Sequence, residues 1–427
     1  MIGTGFTDRV LTDSEAQQVV AQAVAALKPK GKRVLVIVPD HTRSCPLPMV
    51  ARAIHSEVTL RGGQVDFLIA LGTHPPMSEE QIHKLFGVEK GQWKPTFGES
   101  RAFNHEWKNR AALKLLGKMT ADEVAQITEG LFRMEVDVNV NARIFDYDKV
   151  LICGPVFPHE VVGFSGGNKY FFPGICGQEL LDFFHWLGAV ITNPRIIGTK
   201  WTPVRATIDK AASLLQLDKH ALCMVVGKQG LQGLYFGTPE EAWSPAADLS
   251  AQVHVLYADR PYKSILAQAP AMYDDIWTAG KCMYKMESVV ADGGELIIYA
   301  PHVTEISYTH GRIIDEIGYH TRDYFLAQWD RFKSYPWGVV AHSTHVRGIG
   351  KYENGVEKCR VQVTLATGIP EARCRQVNMG YRDPAGIDPR QWQGREDEGI
   401  LYVPKAGEML YKLKNPPEWQ TFKTPGK

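Results

Sequence analysis

Three short apolar runs in this sequence each end in a polar cluster whose residue types suit proton transfer and anion binding. The first cluster is Pro39-Asp40-His41-Thr42-Arg43. Two charges directly after a buried run are unfavourable unless partnered, and an arginine fork grips a carboxylate through two bonds. That suits an acidic small substrate, while Asp40 capping the next helix with Arg43 at the surface accounts for the same residues. The second cluster is Leu71-Gly72-Thr73-His74-Pro75-Pro76. Histidine changes charge near cellular pH, which makes His74 a candidate acid or base. A helix-entry residue or an internally bonded core histidine is the alternative.

The third cluster is the strongest. It runs from Gly154 through His159, Gly163, Ser165, Gly166, Gly167 and Lys169 to Pro173 and Gly174. Its glycines permit tight turns and close backbone approach, and N–H groups near Ser165 to Gly167 can cradle a phosphate beside Lys169. Neither GxxxxGK[ST] nor GxGxxG is present, so the ATP and NAD fingerprints both fail. Shortly beyond lies Phe183-Phe184-His185-Trp186, where His185 is a helix-borne metal ligand or an ordinary packed histidine. The aromatic neighbours suit an apolar substrate side chain or simply the core. Later candidates are Tyr273, Asp274 and Lys281 around a helix, with Lys281 neutralising an anionic substrate or facing solvent. His302, His310, His342 and His345 suit a cleft wall, helix caps or loop contacts.

These clusters need a frame that gathers the ends of strands. Residues 14–27 and 49–60 read as helices, and 33–40 and 64–71 as apolar strands, with Ser78 opening another helix ahead of Glu79, Glu80 and Gln81. Further strands are expected at 148–156, 220–227, 253–257, 296–300 and 338–341, with a helix at 203–217 and helical composition at 313–319 and 321–332. The stretch 235–250 shows no readable period, and the proline-rich tail past 384 reads as loop with short extended pieces. The alternation predicts an α/β fold, with a second α/β region beginning near residue 260 and the chain dividing into 1–259 and 260–427. In open α/β sheets ligands collect at the carboxyl ends of strands, where these clusters lie.

The 427 residues are 44% hydrophobic and 22% charged, a globular composition. Lys plus Arg number 48 against 47 for Asp plus Glu, a net of +1 that gives no general pull toward nucleic acid or an anionic membrane. No run reaches the length of a membrane span, and the N-terminal residues lack a signal-peptide pattern. The 7 cysteines are dispersed, with no CxxC pair for zinc or redox chemistry, as expected of a reduced cytoplasmic protein.

Taken together, the clusters resemble the nickel-pincer lactate racemase family and its broader 2-hydroxyacid racemase and epimerase relatives. The matching pieces are Asp40-His-Thr-Arg43, Gly72-Thr-His74, Pro158-His159 with Gly163-Phe-Ser-Gly-Gly-Asn-Lys169, Pro173-Gly174, His185 and Asn193-Pro194. The segment 273–281 and the tail Val403-Pro-Lys-Ala-Gly-Glu408 fit more loosely. The resemblance implies two α/β domains flanking a cleft, with 1–259 the catalytic and cofactor-tethering domain and 260–427 the domain that closes the cleft. It also implies nickel held in a pyridinium-3-thioamide-5-thiocarboxylic acid mononucleotide, the nickel-pincer nucleotide, tethered through a thioamide to Lys169. It implies His185 as the nickel ligand, His74 and His159 as the acid/base pair, and Asp40 as the group orienting His74. Arg43 and Lys281, with Tyr273 and Thr278, would hold the substrate, and Gly163, Ser165, Gly166 and Gly167 would receive the cofactor phosphate.

The implied reaction is reversible inversion at C2 of a small 2-hydroxy acid. Removing a Cα proton beside an ionised carboxylate is hard. A hydride route avoids that carbanion: one histidine takes the hydroxyl proton as hydride leaves Cα for the cofactor, giving a transient 2-keto acid, and return to the other face inverts the centre. Two histidines suit such a near-symmetric reaction, with the hydride chemistry left to the cofactor. Cofactor-maturation proteins are the implied partners. The chain departs from the lactate-type pattern at Thr278, where glutamine is usual, and this alters the hydrogen bonding around substrate. A net hydride-transfer oxidoreductase on 2-hydroxy acids, or a non-catalytic nucleotide- or metal-binding protein, are the alternative readings.

Overall fold

Strand Arg33–Pro39 is buried along all but its first residue and lies near the middle of a 7-stranded sheet. The computed structural model describes residues 1–72 and 74–422. Thr73 of the second cluster and the tail from 423, which includes Pro425, lie outside the described residues. In spatial order the strands are Ile2–Gly5, Gly230–Gly237, Lys219–Gly227, Lys149–Pro155, Arg33–Pro39, Gln64–Ala70 and Ala102–Asn104. From Lys219–Gly227 onward the neighbours run parallel, and the first two strands add an antiparallel edge. A sheet buried on both faces needs runs without polar alternation, which Val-Leu-Val-Ile-Val provides. Helices Asp13–Leu27 and Leu47–Leu60 help bury it, the first opened by a capping box between Thr12 and Glu15.

A second sheet has 5 strands, all parallel, in the order Gly380–Tyr381, Gln362–Thr367, Val290–Ala300, Tyr262–Gln268 and Ile400–Pro404. One of the short extended pieces expected in the tail, Ile400–Pro404, is thus an edge strand of this sheet. The chain divides into two compact units that interleave in sequence. One comprises 1–157, 164–181 and 203–253, and the other 158–163, 182–202 and 254–427. The sequence division at 260 is a single cut, and a composition profile has no means of registering two excursions this short.

Two element expectations are corrected. Residues 338–341 are no strand but the start of helix Trp337–Arg347, in which everything from Gly338 to Arg347 is buried. A four-residue apolar run does not distinguish a buried strand from a buried helix, and a helix covered on all sides shows no amphipathic stripe. His342 and His345 thus sit on a helix, not in a turn after a strand. The stretch 235–250 is also regular: it completes strand Gly230–Gly237 and then forms helix Pro239–His254, despite Pro245 inside it. Thr238 and Glu241 exchange backbone and side-chain hydrogen bonds at its start, a capping box with proline in the first turn.

Helix Gln178–Ile191 carries Phe183, Phe184 and Trp186, none more than 2% exposed. Trp186 stacks on Trp329 with ring centres 4.8 Å apart. These aromatics are core. Among the described residues no helix is long and apolar enough to cross a membrane. Replacing Trp186 with alanine should lower the unfolding free energy by about 3–5 kcal/mol, measured by chemical denaturation.

Candidate functional site

The strand order of the larger sheet reverses at Arg33–Pro39, which has Gln64–Ala70 on one side and Lys149–Pro155 on the other. Ligands gather beyond the carboxyl ends of strands at such a reversal, and Asp40, His74 and the Gly154–Phe157 segment follow those ends. Asp40 is 4% exposed. Its Oδ1 accepts from the Thr42 backbone N–H at 3.0 Å and the Thr42 hydroxyl at 2.7 Å, and its Oδ2 meets His74 Nδ1. Arg43 Nη1 donates to the Thr42 hydroxyl at 2.9 Å. Burial alone would raise the Asp40 pKa, but the adjacent His74, followed by Arg43 and Thr42, holds the carboxyl well below the usual range. Asp40 is therefore an ionised acceptor, Nδ1 of His74 carries its hydrogen, and Nε2 is left as the proton-accepting nitrogen. Helix Leu47–Leu60 starts at Pro46 and takes no side-chain cap, so Asp40 is not a helix cap.

The glycine-rich turn behaves differently from a simple phosphate cradle. Ser165 is buried, its N–H donates to Phe157 O at 2.8 Å and its hydroxyl to Pro155 O at 3.1 Å, and the same hydroxyl accepts from Phe157 N–H at 2.9 Å. Ser165 shapes the turn rather than offering donors. Gly166 and Gly167 have φ of 85° and 57°, and a Cβ at either would strike Val156 or Trp243. Trp243 Nε1 in turn donates to Ser165 O at 2.9 Å, and Arg205, buried, spans to the carbonyls of Phe164 and Gly166 with its guanidinium over the Trp243 ring. Packing already demands these glycines. Lys169 is half-buried beside Asn168, whose Nδ2 donates to Asp209 at 2.9 Å and Glu240 at 2.6 Å.

In the other unit His159 is 8% exposed and its Nδ1 accepts from the Val161 N–H at 3.1 Å. A neutral imidazole that accepts at Nδ1 carries its proton on Nε2. Glu160 Oε2 stands 3.4 Å from the same Nδ1. Although burial opposes it, the basic groups of His159, His345 and Lys285 close around it hold the Glu160 carboxyl well below the ordinary range. A Cβ on Gly163, at φ 82°, would land on the Thr199 carbonyl, so that position too is fixed by close approach. Lys285 Nζ reaches Pro158 O at 2.5 Å and Glu408 O at 3.4 Å.

His185 is half-buried on helix Gln178–Ile191. Tyr273 is buried, and Lys281 Nζ lies 4.7 Å from its ring centre, so Lys281 is no freely solvated lysine. Thr278 is buried with its N–H bonded to Asp275 at 2.9 Å. Within this unit His310 and His342 pack on Trp277, and His345 packs against Tyr284. His302 bonds the Tyr273 carbonyl at 3.0 Å. Asp40, Thr42, Arg43 and His74 are thus joined in one unit, while His159, His185, Tyr273, Thr278 and Lys281 belong to the other. Sequence reasoning passed over Glu160 and Trp277. The acidic residue next to His159 was the available signal for the first, and the second is visible only once the helix 337–347 is known.

A family model described as the lactate racemase N-terminal domain matches residues 11–196. A curated lactate racemase from Thermoanaerobacterium thermosaccharolyticum is 23% identical over 275 residues, covering 63% of this chain and 60% of that protein. One from Lactiplantibacillus plantarum is 26% identical over 171 residues, covering 39% and 35%. The chain thus spans less than two thirds of the curated relatives it matches. A crystal structure of a Thermotoga maritima protein is 33% identical with a TM-score of 0.88, covering 96% of this chain and 100% of that one. The lactate racemase apoprotein from Thermoanaerobacterium thermosaccharolyticum shares the fold, with a TM-score of 0.71 at 16% identity over 96% of this chain and 99% of that chain.

Two stability measurements check this geometry. Asp40 has a folded pKa below its unfolded value, so the stability it contributes is present above about pH 4–5 and lost on acidification. Asp40→Asn should therefore differ from the parent in unfolding free energy above that range, and the two curves should converge below it. Gly163→Ala should lose at least about 1–2 kcal/mol from its left-handed backbone alone, with a further loss from the clash at Thr199.

Proposed function

The chain belongs to the lactate racemase family, and from that premise we propose that it inverts the configuration at C2 of a small 2-hydroxy acid. The observation that carries the reading is the opposite poise of two histidines. Asp40 holds the proton of His74 on Nδ1, leaving Nε2 to accept, whereas His159 accepts at Nδ1 from the backbone and keeps its proton on Nε2. Inversion needs one group to take the hydroxyl proton and another to return it, with roles exchanged in the reverse direction. His74 and His159 fill those roles, and Asp40 positions His74 and balances the charge it gains. In this reading Arg43 and Lys281 hold the substrate carboxylate and hydroxyl oxygen, and Tyr273 and Thr278 are further substrate contacts.

The residues fit the family's nickel-pincer nucleotide. Among the described residues no group of three or more His, Cys, Asp or Glu could hold a metal ion. In this reading His185 is one nickel donor and the sulfur-bearing organic group attached at Lys169 supplies others. When bound, that group supplies the hydride acceptor and donor. Lys169 is the tether, and in this reading the backbone of the turn through Gly163, Gly166 and Gly167, which Ser165 shapes, receives its phosphate. Loading by cofactor-maturation proteins and action in the cytoplasm belong to the same reading.

The test is co-production with a cofactor-maturation system, followed by mass measurement of the Lys169 peptide, nickel analysis and an inversion assay on enantiopure 2-hydroxy acids. The expected result is a sulfur-rich mononucleotide adduct on Lys169 and formation of the opposite enantiomer without accumulation of keto acid. His74→Ala and His159→Ala should each retain the adduct and lose about 10²–10⁴-fold in inversion rate. An unmodified Lys169, with maturation proven on a control protein, would remove the reading.

A further inference from the structure

His342 is on helix Trp337–Arg347, is 8% exposed, and its Nε2 has no hydrogen-bond partner. Its ring stacks on Trp277 at 4.0 Å between centres, and His310 packs on the same indole at 4.4 Å. Gly280 leaves room beside it: a Cβ there would lie 3.3 Å from His342 Cε1. The imidazole is thereby pressed against the turn between Thr278 and Lys281. One helical turn on, His345 is 4% exposed and its Nε2 is also without a partner. The Tyr319 hydroxyl, on a ring 6.0 Å from His342, is the third such atom. Each buried polar atom left unpaired costs about 1–3 kcal/mol, and native proteins carry few. Three such atoms on and beside this one helix call for polar partners.

The chemistry of this wall narrows those partners. Burial pushes His342 well below the ordinary histidine range and His345 down to about 4, so both rings are neutral near pH 7. A neutral imidazole offers one N–H and one lone pair, which matches a hydroxyl group as both acceptor and donor. A second substrate carboxylate would meet the ionised Glu160, whose charge is felt by both imidazoles. The cation on the same helix, Arg347, acts on the Cys359 thiol, and its Nε and Nη1 are buried without a partner. An alkyl or aromatic substituent would leave the nitrogens unpaired.

We infer that His342, flanked by His310 and His345, receives a hydroxyl group on C3 of the substrate, so the acid this protein inverts is hydroxylated beyond C2. The inference rests on the function proposed above and names the substrate class for it. Because 2-hydroxypropanoate and 2,3-dihydroxypropanoate differ by that one hydroxyl, they form the test pair for the loaded enzyme, with 2,3,4-trihydroxybutanoate as the longer member. The hydroxylated acids should be inverted with kcat/KM at least about tenfold above 2-hydroxypropanoate. His342→Phe, which keeps the ring on Trp277 and removes the nitrogens, should shrink that ratio by about ten- to a hundredfold. His342→Gln, which again offers a donor and an acceptor, should restore part of it. A parent ratio near one, or a ratio that His342→Phe leaves in place, would mean that the wall holds ordered water only and would overturn the inference. Inversion of none of the three acids by enzyme with nickel and the Lys169 adduct in place would instead remove the underlying function, and this inference with it.

Discussion

An ionised carboxylate at the end of a central parallel strand, with almost no water around it, is the constraint from which the first unit is organised. Asp40 is stable there only because each oxygen is engaged, one by the backbone and hydroxyl of Thr42 and the other by His74. Those partners in turn dictate local structure. The chain after Pro39 must turn back so that Thr42 faces Asp40, and the loop after Ala70 must bring an imidazole to the neighbouring strand end. The same contact that solves the burial of a charge fixes which nitrogen of His74 carries its hydrogen. Structural need and chemical role coincide in one pair of side chains.

The second unit solves another problem with its buried helix Trp337–Arg347. A helix with no exposed face buries its polar residues as well, and Ser343 answers this by donating to the Gly318 carbonyl at 2.8 Å and Thr344 by donating to Ala341 O at 2.9 Å. The imidazoles are met differently, His342 by stacking on Trp277 and His345 by an edge-on contact with Tyr284. Desolvation keeps His342 and His345 neutral, so the wall is polar without being charged.

Much of the fold was legible because parallel strands leave runs such as Val34 to Val38 that no other element produces so compactly. The clusters at their ends were legible for the same reason: polar types directly after such a run need an explanation. What escaped was set by tertiary contact. The glycines at 166 and 167 read as room for a phosphate, yet Val156 and Trp243 already account for them, and no local pattern places Trp243 beside residue 167. Helix 337–347 escaped because complete burial erased its period. Helix 239–254 escaped because its stretch of Pro, Ala and Glu shows no readable period, although Thr238 and Glu241 cap its start.

The interleaving of the two units bears on how the protein is made. Synthesis delivers residues 158–163 and 182–202 well before 254–427, the long segment of the unit they belong to. The first unit has its last segment by residue 253, and the earlier pieces of the second must wait on the ribosome for their partners. His159 and His185 both lie in those waiting pieces, whereas Lys169 lies in the part of the chain between them that belongs to the earlier unit. The nascent chain therefore completes the scaffold around Lys169 first and the surroundings of both histidines last, an order set by connectivity alone.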